Sequence, residues 1–238
     1  MDLNPRFDKP LYALFIILAF VLGMIVVGYL VLVIPPEKVY KPKGTTADRG
    51  TYLLYLPKDT NADQDHTLVY ALSPGADAAS MISAWAEVAD SHQWLIAAST
   101  VSRNGIDIDP VLVQIKADLG EILSEYAITP GRVICSGMSG GGMACYALTM
   151  AYPERINALV INTGMMAYGG VVSGFPAGKT GVFLASPSDF RYQEMHRDRD
   201  YLDSLGWNTT WLEFQGGHIM APQKSYEQAS SWLDENLP

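Results

Sequence analysis

The chain is poor in cysteine and histidine, and it has no basic run. Among 238 residues there are two cysteines and four histidines, and acidic residues outnumber basic ones by 25 to 16. The resulting net charge of −9 excludes a nucleic-acid groove, because no cluster of lysine and arginine exists to neutralise phosphates. An acidic surface of this kind serves solubility. Cys135 and Cys145 specify no metal site, and as a pair they read as two buried free thiols. Internal repeats and low-complexity segments are also missing. With 49% hydrophobic residues, the length suits one domain with a full core plus a short appendage.

Charge is absent from Leu11 to Ile34, an uninterrupted apolar run. At about 1.5 Å per helical residue it reaches about 36 Å, enough to cross a bilayer with some tilt. Tyr12 and Tyr29 sit near its ends, where interfacial aromatics belong. A signal peptide would have a shorter apolar core and a small-residue cleavage site, and a core helix would keep a polar face. The expectation is therefore a membrane anchor over 11–34, after an N-terminal tail at 1–10 and before a linker at 35–47. Pro35-Pro36 stops the helix, and the globular domain is expected at 48–238. Counting positive charges on either side of the span leans toward a cytoplasmic domain but does not settle the orientation.

Downstream, short apolar runs alternate with amphipathic stretches. TYLLYL, TLVYAL, WLIAAS, RVICS, ALVIN, GVFLA and TTWLEF read as strands. Helices are expected over 78–90, 110–126, 142–152, 192–205 and 222–236. Uniformly apolar strands separated by helices imply an α/β architecture, a mostly parallel sheet covered on both faces. Chemistry in such sheets sits at the carboxyl ends of the strands.

The most informative stretch there is RVICSGMSGGGMA, where Gly137-Met138-Ser139-Gly140-Gly141 forms a G-x-S-x-G pattern between strand and helix. A turn this sharp strains the serine backbone, needs glycine where the chain crosses itself, and lifts the hydroxyl above the sheet edge. Ser139 is the candidate nucleophile. The Gly140 N–H is a candidate oxyanion donor, with the Ala76 N–H in the loop after TLVYAL as its partner. After GVFLA comes Asp189, favoured as the acid over Asp198, Asp200 and Asp203, which fall on a helix. After TTWLEF comes Gln215-Gly216-Gly217-His218, which makes His218 the one histidine placed to act as a base. The order Ser139, Asp189, His218 suits this sheet topology.

At these residues the chain resembles the α/β-hydrolase superfamily. It is similar to the branch that holds secreted polyhydroxyalkanoate-depolymerase-like proteins and feruloyl or acetylxylan esterases. The resemblance runs from about Thr51 to the C-terminus, and ITPGRVICSGMSGGGMACYALTMAYPERINALVINTG, SPSDF and QGGHIMAP carry it. In that branch the strand before the first helix commonly ends in Leu-His-Gly. Here Leu72-Ser73-Pro74-Gly75 replaces it, which removes a side chain that usually organises the oxyanion loop. The resemblance implies hydrolysis of a small-molecule or polymer ester through an acyl-enzyme, with no metal or cofactor. The alternatives are a serine peptidase or thioesterase on the same fold, or a binding module that no longer turns over. The segment between Thr163 and Gly181 is too short and glycine-rich for a helical lid. An open cleft is therefore expected, edged by Met138, Met165, Met166, Tyr168 and Phe190, with Met138, Met165 and Tyr168 as substrate contacts.

Overall fold

The computed structural model describes residues 40–168 and 170–238, together with Ala19. Apart from Ala19, the apolar run at 11–34 lies outside these residues, as do the tail at 1–10 and the first part of the linker. Among the described residues no helix is long and apolar enough to cross a membrane.

Eight strands form one sheet: β1 (Thr45–Asp48), β2 (Tyr52–Leu56), β3 (His66–Leu72), β4 (Leu95–Ser99), β5 (Ile128–Met138), β6 (Ala158–Asn162), β7 (Thr180–Ala185) and β8 (Asn208–Glu213). Their spatial order is β1-β2-β4-β3-β5-β6-β7-β8. β1 and β2 run antiparallel to their neighbours, and every other pairing is parallel. Among the described residues four helices of the globular unit connect strands and a fifth follows β8: α1 (Ala78–His92), α2 (Ile108–Glu125), α3 (Gly140–Ala151) and α4 (Tyr192–Ser204), then α5 (Gln223–Asn236).

Alternation along the strands divides the core into two layers, because successive side chains leave opposite faces of a strand. From β3, Leu68, Tyr70 and Leu72 enter one layer with the apolar stripes of α2, α3 and α4. Val69 and Ala71 enter the other, against α1 and α5. Both faces are therefore covered, and β3, β4, β6 and β7 are buried along their whole length. The helix starts follow from local chemistry. Asp77 accepts the Ser80 N–H at the head of α1, and Asp107 accepts the Asp109 N–H at the head of α2.

Two features differ from the sequence reading. The globular unit begins at Tyr40, and Thr45–Asp48 forms the edge strand β1 where a linker to residue 47 was expected. Its pattern is polar and exposed, so no apolar alternation announces it. The segment before it is pinned by Asp90, which accepts hydrogen bonds from Tyr40 Oη at 2.7 Å and the Lys43 N–H at 2.8 Å. The second difference is a correction. Cys135 and Cys145 are joined in a disulfide, not left as free thiols. Sequence spacing alone carries no information on whether a strand residue and a helix residue will face each other.

Candidate active site

The elbow at Ser139 is built by steric exclusion. Ser139 itself adopts φ 52° and ψ −118°, a conformation that costs a non-glycine residue about 1–3 kcal/mol and persists only where its surroundings enforce it. A Cβ on Gly137 would lie 2.3 Å from the Gly141 carbonyl, and one on Gly141 would lie 2.0 Å from the Leu72 oxygen. Those two glycines are what let β5 turn directly into α3 beside β3. The turn is supported from behind by Trp85, which is fully buried and donates its indole N–H to Ser136 Oγ at 3.0 Å.

Three loop residues from separate strands converge at the carboxyl edge. His218 Nδ1 lies 2.7 Å from Asp189 Oδ2, and its Nε2 lies 2.8 Å from Ser139 Oγ. A carboxylate only accepts, so Nδ1 carries the proton and Nε2 is left to accept from the serine hydroxyl. The Asp189 side chain is shut off from solvent, and its second oxygen accepts the Arg191 N–H at 2.5 Å. A short hydrogen-bonded line therefore runs from Asp189 through His218 to the half-buried Ser139 hydroxyl.

The other candidate acids and histidines are engaged elsewhere. Asp198 is buried but accepts the Met166 N–H and pairs with Arg197. Burial raises its carboxyl above the usual range. Asp203 pairs with Arg199, and Asp200 is exposed. His66 bridges the carbonyls of Asn61 and Gln93, His92 pairs with Asp234, and His196 stacks on Trp211.

Facing the elbow, the loop Ser73–Asp77 is ordered by the very residue that departs from the expected pattern. Ser73 is buried, and its Oγ accepts the Asp77 N–H at 2.6 Å. Pro74 O accepts the Asn104 N–H at 2.9 Å, and Gly75 forms a bridge with Arg103, so the loop after β4 braces it. Ala76 takes φ 57° within it. Among the described residues the Gly140 N–H, at the first position of α3, has no backbone acceptor and is open to an anion.

Two hollows flank the serine. One, of about 590 Å³, is lined by Ser73, Gly75, Met138 and Met220. The other, of about 370 Å³, is lined by Asn104, Gly140, Met143, Met166 and Tyr168. Of the residues expected as substrate contacts, Met138 lines the first hollow and Tyr168 the second. Met165 lines neither: it is 2% exposed, and its neighbour Met166 reaches the second one. Phe190 is 65% exposed and lies over the His218 ring, with centroids 4.5 Å apart. The Arg191 guanidinium rests between the Phe190 and Tyr168 rings. Among the described residues, no three acidic, histidine or cysteine side chains gather where a metal ion would fit.

Two positions escaped the sequence reading. Ser186 Oγ accepts the Gly217 N–H at 2.9 Å, which ties the acid loop to the histidine loop. Asn162 ends β6 and binds the chain beyond His218. A polar residue closing an apolar strand at the carboxyl edge was the signal available for Asn162.

No protein-family model matches the chain, and no curated protein sequence does. Solved structures do. Esterase 2 of Thermogutta terrifontis, phosphonylated by sarin, superposes with a TM-score of 0.64 at 14% identity, covering 84% of this chain and 97% of that one. The chain has the α/β-hydrolase fold. The butyrate-bound form of the same esterase gives a TM-score of 0.60 at 15% identity, over 85% and 96% of the two chains. A thermostable esterase gives 0.58 at 22% identity, over 83% of this chain and 63% of that one. In this fold the carboxyl edge that carries Ser139 is where ligands are held.

Proposed function

We propose that the protein is a serine hydrolase of carboxylic esters, with Ser139 as nucleophile, His218 as general base and acid, and Asp189 as its orienting carboxylate. The observation that carries this reading is the unbroken hydrogen-bonded line from buried Asp189 through His218 to the strained Ser139. His218 Nε2 takes the hydroxyl proton as Oγ attacks the ester carbonyl carbon. The N–H groups of Gly140 and Ala76 hold the resulting oxyanion. His218 then protonates the departing alkoxide, which leaves an acyl-serine, and water repeats the sequence to release the acid. The Thermogutta terrifontis esterase, seen both bound to butyrate and phosphonylated by sarin, is in keeping with this chemistry.

The two hollows beside Ser139 provide room for the acyl and alcohol portions, with Met138, Tyr168 and Met166 as contacts. The quoted sequence segments favour the polyhydroxyalkanoate-depolymerase-like and feruloyl or acetylxylan esterase branch. Ser73 supplies the loop order that a histidine usually gives there.

The apolar run at 11–34 would hold the enzyme to a bilayer as a single-pass anchor. The Cys135–Cys145 disulfide favours an oxidising compartment for the domain, since such bonds are rare in the cytosol. That outweighs the weak charge asymmetry around the span, which leans the other way. Protease digestion of sealed vesicles reports the side directly.

Hydrolysis of p-nitrophenyl acetate tests the activity. Turnover is expected from the wild type and its loss from Ser139→Ala and His218→Ala. Equal turnover by Ser139→Ala overturns the assignment.

A further inference from the structure

Asn162 is the last residue of β6 and sits opposite Met138 in the sheet register, at the level where β5 gives way to the elbow. It is 1% exposed. Its main-chain oxygen accepts the Ser139 N–H at 2.9 Å. Its side chain turns the other way along the edge. Oδ1 accepts the Ala221 N–H at 2.8 Å and the Tyr226 hydroxyl at 3.1 Å. Nδ2 donates to the Ile219 oxygen at 3.2 Å and to Thr163 Oγ1 at 3.3 Å. Two lone pairs and two N–H bonds are all engaged, so the amide has one orientation and no spare partner.

The bonds to Ile219 and Ala221 matter because of what lies before them. Gly216 and Gly217, at φ 144° and 74°, lead into His218 and give the loop little stiffness of its own. The loop is held on one side by Ser186, through the Gly217 N–H, and on the other by Asn162.

We propose that Asn162 is a positioning residue that sets the distance between Ser139 and His218, its backbone fixing the nucleophile and its side chain fixing the base. The inference rests on the hydrolase reading given above. One buried residue thereby references both partners of the proton transfer to the same strand end. The displacement such a link prevents is small, but a misplacement near 1 Å in a reacting pair costs about 100-fold in rate. Met138 and Gly140, on either side of the serine, move with it, so substrate binding is not what the link controls.

The test compares Asn162→Ala, Asn162→Asp and Tyr226→Phe with wild type, using p-nitrophenyl acetate and an active-site titrant that counts competent protein. Asn162→Ala is expected to lose about 10- to 100-fold in kcat per titrated site. Its KM should stay within about twofold. The pH profile of kcat/KM is expected to move, because the histidine's partners are no longer fixed. Asn162→Asp keeps the acceptor for Ala221 but presents oxygen to the Ile219 carbonyl, and it should fall between Asn162→Ala and wild type. Tyr226→Phe leaves both loop bonds in place and should retain wild-type kcat and pH profile. A kcat and pH profile in Asn162→Ala equal to wild type, with only the melting temperature lowered, overturns the proposal.

One reading in intact wild type needs neither turnover nor a variant. The Ser139 and Ala221 amides should exchange with solvent in one common opening event, and independent exchange contradicts the link. Absence of ester hydrolysis in wild type would sink the functional reading while this observation still decides the role of Asn162.

Discussion

Cys135 and Cys145 are bonded across the turn that carries Ser139, one in β5 and the other in α3, ten residues apart. Both are fully buried. The two arms of the elbow are thus covalently clasped on either side of Ser139, whose backbone is itself strained.

Replacing both cysteines with alanine is expected to lower stability by about 2–3 kcal/mol, the closure entropy of a loop of this size. For a domain of this length that amounts to about 4–12 °C in melting temperature. Urea unfolding of oxidised, reduced and double-alanine protein checks it. Because the bond is buried, reductant should act on the folded protein only through its opening.

Ser73→Ala removes the acceptor for the Asp77 N–H in a buried loop and should cost about 1–3 kcal/mol. The same change loosens the segment that holds the Ala76 N–H. Loss of an entire oxyanion donor costs about 100- to 1,000-fold in kcat, so a loosened one should cost less than that, with KM little changed. Steady-state kinetics on p-nitrophenyl acetate separates the two parameters. A lowered melting temperature with unaltered kcat would remove this loop from the oxyanion site.

Asp189→Asn retains the shape of the side chain but offers His218 the wrong partner and favours the wrong tautomer. Activity is expected to fall by about four orders of magnitude while the fold persists. Asp198→Asn, by contrast, should leave kcat within about tenfold of wild type, since that residue bonds Met166 and not the histidine.

Asp198 supplies a prediction for pH as well. Its burial raises the folded carboxyl above its unfolded value, so the folded state binds a proton more readily there. Between the ordinary carboxylate range and the raised value, stability contributed at this site grows as pH falls and shrinks as pH rises. Urea titrations should therefore show wild type gaining on Asp198→Asn as pH is lowered through that window. A difference that is flat with pH would contradict the assignment.

The sheet was legible where burial on both faces wrote uninterrupted apolar runs, as in TLVYAL, ALVIN and GVFLA. It was illegible at Thr45–Asp48, an exposed edge strand whose pairing depends on Tyr55 and Asp90 far along the chain. Ser139, Asp189 and His218 were readable because each follows a strand whose carboxyl end is marked by small residues. Ser73 was misjudged for the opposite reason. Seen only as a missing histidine, it gave no sign that its own hydroxyl would order the loop. Met165 and Met166 are adjacent and alike in type, so the residue types carry no sign that Met166 is the one to line the hollow.

The most direct test of the central claim is covalent labelling of folded protein with a fluorophosphonate, followed by mass spectrometry of the peptide around the elbow. A single adduct on Ser139 is expected in wild type, with none in Ser139→Ala and slowed labelling in His218→Ala. Failure of the folded wild type to react, or equal labelling of Ser139→Ala, would contradict it.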